Sequence, residues 1–251
     1  MHFTILLASL FLFFTSTAHA EDNVRQAWLW QDNSLTYVTG GHFHVDPAVQ
    51  HTLTFEHVSG WRHGDLFMFI DATHFNDGRG GSLYGEFSPR VSLSKLSQYA
   101  LPPTCVIRDV ALSSTLEFGE GEVETILLGV GVDLAVPGTD YFKIDLLRRT
   151  PLLGQDGAVW QLTPVWSVSM GKRIVFDGFI DWAIHSDGRY RHNWHINPQL
   201  KYDIGQSLGR GKRKLLLGVE YSYWHNKYGI ADSAAFPTHD HTASFILKAH
   251  F

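Results

Sequence analysis

Cysteine is almost absent. The 251-residue chain holds one, Cys105, so no intrachain disulfide can staple it. Charge is sparse as well, 18% of residues against about a quarter in ordinary soluble domains. Twenty Lys+Arg face 25 Asp+Glu, a net charge of −5. Without a broad basic field, nucleic acid is excluded as a partner. Beyond residue 20 no stretch reaches the roughly 18 uninterrupted apolar residues of a membrane helix. What the chain does have is 23 glycines, 17 Phe, 9 Tyr and 8 Trp. That aromatic content is incompatible with a disordered chain.

The first 20 residues read as an export signal. Phe3 to Phe14 form an apolar run too short to cross a bilayer as a helix. Ala18-His19-Ala20 supplies the small-x-small pattern of a signal-peptidase site. We therefore expect a cleaved signal peptide at 1–20 and one domain at 21–251, with no linker or break in composition.

The remainder alternates with period two. Ile126, Leu128, Val130, Val132 and Leu134 share one parity, and Thr125, Gly129, Gly131 and Asp133 the other. Trp194, Ile196, Leu200, Tyr202 and Ile204 likewise oppose His195, Asn197, Gln199, Lys201 and Asp203. Such segments are strands with one apolar and one polar face. Turn signals such as Asn76-Asp77-Gly78, Pro137-Gly138 and Gly209-Arg210-Gly211 separate them. The pattern predicts twelve strands at 34–44, 50–59, 64–74, 82–94, 105–117, 123–136, 139–148, 158–170, 173–185, 192–204, 213–225 and 240–251. Strands near ten residues suit a tilted membrane crossing, and an even count suits a closed antiparallel barrel.

A soluble barrel also alternates, but turns its apolar face inward. Two features select the membrane form. Trp160, Trp182, Trp194, Tyr202 and Tyr223 lie on the apolar parity near strand ends, where aromatic girdles form. The chain also ends in Phe245, Leu247, Ala249 and Phe251, an alternating strand that resembles the signal read by the barrel-assembly machinery. We expect an all-β transmembrane antiparallel barrel in the Gram-negative outer membrane, with lipid around it.

The segment Gly81 to Leu96 carries a more specific resemblance. Glu86, Pro89, Arg90, Ser92, Lys95 and Leu96 resemble a motif of the nucleoside-specific outer-membrane channel family, the Tsx-like and OmpK-like proteins. Leu53 to Glu56, Asp65 to Asp71, Gly129 to Asp133 and Tyr223-Trp224-His225 are similar to further landmarks. The resemblance implies a monomeric twelve-stranded barrel with a narrow pore. It would pass nucleosides and related small solutes by diffusion, without a cofactor. It also raises the alternatives of a phage or other surface receptor and of a general small porin.

If the apolar parity faces lipid, the other parity lines the lumen. That places Glu56, Asp71, Glu86, Arg90, Asp133, Lys143, Asp145, Asp177, Asp181, Lys201, Asp203 and Glu220 inside. Phe67, Phe69, Tyr84, Phe179 and Trp224 share that parity. A base could stack on such rings, at about 1–3 kcal/mol per base, while charged groups meet ribose hydroxyls. The expected pore-lining, substrate-contacting set is Glu86, Arg90, Phe67, Phe69, Tyr84, Trp224, Glu56 and Asp71. His42-x-His44 and His239-Asp240-His241 have ligand-like spacing but no second metal-binding pair, so no metal is expected. An outer-membrane lipid hydrolase is a further alternative. Ser222, Ser167 and Ser169 stand in no G-x-S-x-G elbow, and no enzymatic activity is expected.

Overall fold

The computed structural model describes residues 28–251, apart from 79, 100, 122, 154–156 and 187–189. The expected export segment, 1–20, lies outside the described residues.

Twelve strands follow one another: β1 (Trp28–Gly41), β2 (Val49–Trp61), β3 (Gly64–Phe75), β4 (Gly81–Ser92), β5 (Ile107–Gly119), β6 (Glu124–Leu134), β7 (Tyr141–Pro151), β8 (Val159–Met170), β9 (Ile174–Ser186), β10 (Asn193–Asp203), β11 (Leu215–His225) and β12 (Asp240–His250). Each pairs antiparallel with its neighbours in sequence, and β12 returns to β1 to close the ring. The closing register runs from Ser34 opposite His250 to Gly40 opposite Ser244. Closure leaves no strand edge unpaired, which a membrane demands of a sheet.

The distribution of side chains decides the environment. On β12, Thr242, Ser244 and Ile246 are 3%, 4% and 0% exposed, while the intervening Phe245 and Leu247 are 45% and 37% exposed. Elsewhere Leu112, Leu128, Trp160, Leu200 and Val219 are exposed, whereas Arg90, Glu117, Gln161, Asn197 and Lys201 are buried. The barrel is inside-out relative to a soluble one. Its apolar exterior is stable against acyl chains and its polar interior against water and itself. Trp160, Trp182 and Trp194 mark the outer surface towards the end away from the termini, and Trp28 and Tyr202 mark the opposite end. Tyr223 lies on the same outward parity, opposite His241.

Connections at the two ends differ. At the end bearing the termini, β4 leads into a short helix, Leu93–Ser97, capped by the Ser92 side chain. Another, Ile204–Ser207, is capped by Asp203. This corrects one sequence expectation. The Asp203 carboxylate turns to the backbone amides of Gln206 and Arg213, at 3.2 and 2.7 Å, and is spent on the turn rather than on the lumen. At the other end, the 226–239 connection folds on itself. Asn226 and Tyr228 adopt left-handed backbone angles there. The Lys227 ammonium reaches Asp46 at 2.7 Å and Asp240 at 3.3 Å.

Candidate functional site in the barrel lumen

Strands β3 and β4 build one wall. Period-two alternation turns Phe67, Phe69 and Asp71 to the same face, and their register with β4 sets Phe69 opposite Glu86 and Asp71 opposite Tyr84. The rings form a chain: Phe67 to Phe69 and Phe69 to Tyr84 both have centroids 5.8 Å apart. The Tyr84 hydroxyl donates to Glu86 at 2.8 Å, and Asp71 accepts from Thr54 at 2.5 Å. Across the β4–β5 pair, Glu86 stands directly opposite Glu117. Glu117 is gripped by Arg149 of β7. A ring face can stack on one part of a solute while the acceptor oxygens beside it hydrogen-bond another.

Towards the end bearing the termini, charges cross the lumen. The Arg90 guanidinium bonds Asp133 at 2.6 Å and also reaches Asp145 and Asp65 at 3.5 and 3.6 Å. Lys143 of β7 meets Asp65 of β3 at 3.3 Å, a bridge between strands four apart in the ring. Such a chord narrows the passage. Gly131 makes room for it. A Cβ there would fall 2.0 Å from an Asp145 oxygen and 2.8 Å from an Arg90 nitrogen. Further round, Glu56 accepts from Lys248 at 2.6 Å, and Asp177 pairs with Lys201 at 2.6 Å.

Strands β9 to β11 stand across the ring from β3 and β4 and carry a second aromatic run. His195 lies flat on Trp224, with centroids 4.0 Å apart and planes within 9°. Phe179 meets the other side of His195 edge-on at 5.1 Å. Lys227 sits over the rings of Trp224, Tyr228 and Phe43 at 5.4–5.9 Å. Two grooves, of about 350 and 300 Å³, lie instead on the outer wall, around Leu112 and Leu128 and around Trp28 and Phe87.

All eight sequence-nominated residues therefore occupy lumen-facing positions, but in four groups rather than one. Phe67, Phe69, Tyr84, Glu86 and Asp71 are together. Glu56 joins Lys248, and Arg90 joins the crossing cluster. Trp224 is on the far wall. Sequence reading missed Asp65, Glu117, Arg149, His195, Lys227 and Lys248 as members of the site. Parity alone assigns Glu117 and Lys248 to the lumen, since they alternate with Leu116 and Leu247.

No protein-family model matches the chain, and no curated protein matches it. Solved structures do. The NanC porin superposes with a TM-score of 0.55 at 11% identity, over 88% of this chain and 99% of that one. The KdgM porin superposes with a TM-score of 0.50 at 12% identity, over 87% and 99%. The fold is that of the outer-membrane porins. At such identities the likeness speaks for architecture and not for what passes through.

Proposed function

We propose that this chain is a passive outer-membrane channel for nucleosides and related small solutes, in the Gram-negative outer membrane, and that it catalyses no reaction. The observation that carries the reading is the Phe67–Phe69–Tyr84 run, placed beside the acceptor oxygens of Glu86 and Asp71 inside a closed, inside-out barrel. Side chains that only fill a lumen have no need of a run of neighbouring rings next to carboxylates. A nucleoside offers a π face to the first and hydroxyls to the second. The porin fold and the end-to-end coverage by two porins support the channel part. Contacts must remain weak enough for release, and single rings with solvent-shared acceptors meet that condition.

A hydrolase is disfavoured by geometry. Ser222 does meet a histidine, His195, at 3.0 Å. Among the described residues no carboxylate hydrogen-bonds the other His195 ring nitrogen, and the ring is held flat on Trp224. A nucleophile needs its base oriented by a third group.

The test is adenosine block of single-channel current in planar bilayers. Phe67→Ala with Tyr84→Ala should weaken block about tenfold or more, the loss of one to two stacking contacts. Open conductance should change much less. Unchanged block would discard the stacking assignment.

A further inference from the structure

The lumen is asymmetric in charge, and the asymmetry lies in what is left over after pairing. Every cation on the lumen-facing parity of the strands already has a carboxylate within 4.0 Å: Arg90, Lys143, Arg149, Lys201 and Lys248. Apart from Asp109, held by Ser94, Asp32, which meets His250, and Asp203, spent on its turn, all nearer the strand ends, four carboxylates on the same parity have no such cation among the described residues. Asp71 is held by Thr54, Glu86 by Tyr84, Asp181 by Thr163 and Gln161, and Glu220 by Gln199. Hydroxyls and amides orient these groups without cancelling their charge.

A second observation is independent of that count. Glu117 is 4% exposed. Arg149 takes one of its oxygens, while the other, Oε2, is buried with no hydrogen-bond partner among the described residues. Glu117 stands directly across from Glu86 in the strand register. Two carboxylates side by side, one with a buried oxygen that accepts no hydrogen bond among the described residues, are relieved by a cation or a shared proton between them. The rings of Phe69 and Tyr84 border the place, and aromatic faces attract cations as well.

We infer that the lumen passes cations, organic ammonium ions among them, in preference to anions, with Glu86, Glu117 and Asp71 setting the preference on the β3–β5 wall. The inference rests on the channel reading and deepens it. Fixed charge of one sign inside low-dielectric walls concentrates counter-ions and excludes co-ions. The opposing influence is also visible. Lys172, Arg173, Arg210, Lys212 and Lys214 are exposed on two turns at the end bearing the termini. They lie outside the charged constriction, where salt screens them over about 10 Å at 0.1 M. If they governed permeation the channel would favour anions.

The experiment is a reversal-potential measurement on the full-length protein refolded into neutral planar bilayers, with a tenfold KCl gradient. Potassium should permeate over chloride by roughly threefold or more. Glu86→Gln with Asp71→Asn should bring the ratio towards one, as should Asp181→Asn with Glu220→Gln on the far wall if the first pair folds poorly. Tetramethylammonium chloride in place of KCl should also give a cation-directed potential, reduced in Phe69→Ala. Anion preference in the unaltered channel, or a ratio unmoved by both neutralised pairs, overturns the inference and leaves the channel standing. Absence of any current from correctly folded protein overturns the channel reading itself.

Discussion

Arg90 is the residue whose loss the structure prices most clearly. Its guanidinium is 7% exposed and serves three carboxylates that are 14–27% exposed. A hydrogen bond to a charged group contributes about 1.5–3 kcal/mol. Stripping one partner from a fully buried ion pair costs about 3–5 kcal/mol, because the remaining charge is stranded. The carboxylates here keep some access to water, so the lower part of that range applies. Arg90→Gln should therefore destabilise by about 2–3 kcal/mol. Lys143 works in the same cluster but is 28% exposed, with contacts at 3.3 and 4.0 Å. Lys143→Gln should cost below about 1 kcal/mol, as exposed pairs do.

Urea unfolding of the refolded protein in vesicles measures both, provided the denaturant slope is constant between variants. The argument also has a cooperative consequence. Gly131→Ala drives a methyl group into Asp145 and Arg90, and part of that clash disappears once the guanidinium is gone. The double variant should be less destabilised than the sum of the singles, as expected for residues in contact. Equal costs for Arg90→Gln and Lys143→Gln, or strict additivity with Gly131→Ala, would refute the view that Arg90 organises this end of the lumen.

Three further outcomes are expected. Asp140 lies in the turn before β7. Partial burial raises its carboxyl slightly, but the Arg213 guanidinium at 2.7 Å and the hydroxyls of Ser169 and Ser167 outweigh this and hold it below the usual value. Its stabilisation is thus present above the ordinary aspartate pKa of about 3.9 and is lost as pH falls through the lower folded value. Asp140→Asn should destabilise at pH 7, with a difference from wild type that shrinks as the pH falls below the ordinary aspartate value; a difference independent of pH would contradict the assignment. Gly218→Val places its Cβ 2.1 Å from the Leu200 carbonyl oxygen, a backbone atom that cannot rotate away. A loss of about 1–3 kcal/mol is expected in thermal unfolding, and wild-type stability would show the register between β10 and β11 to be wrong. Phe251 is 66% exposed and donates one backbone hydrogen bond to Asn33 at 2.9 Å. Its deletion should lower the folded fraction in cells while leaving refolding in detergent nearly unchanged; equal loss in both would make its role structural.

Face and strand were legible in the sequence because both follow from a period of two. Partners across the ring were not, because parity fixes which way a side chain points and says nothing about which distant strand it meets. Lys143 could be placed inside from its alternation with Phe142 and Ile144, yet only the curvature of twelve strands brings it to Asp65 on β3. His195 reads as one more polar residue between Trp194 and Ile196. Its flat contact with Trp224 depends on the β10–β11 register, which turn lengths and bulges set.

The boundary of β7 shows a different failure. The alternation pattern places this strand at 139–148, and Arg148 falls on the apolar parity. In the structure the strand continues to Pro151, and the Arg148 guanidinium lies 5.6 Å from the centroid of the Trp160 ring. A long cationic side chain can cover an aromatic girdle residue and keep its head at the interface. An end three residues short leaves out Arg149, and with it the partner of Glu117. The consequence reaches the lumen electrostatics. With Arg149 omitted, Glu117 would have joined the uncompensated carboxylates. With it included, the excess of acid on that wall narrows to Glu86, Asp71 and one vacant oxygen, a smaller and more localised charge whose removal two conservative substitutions can test.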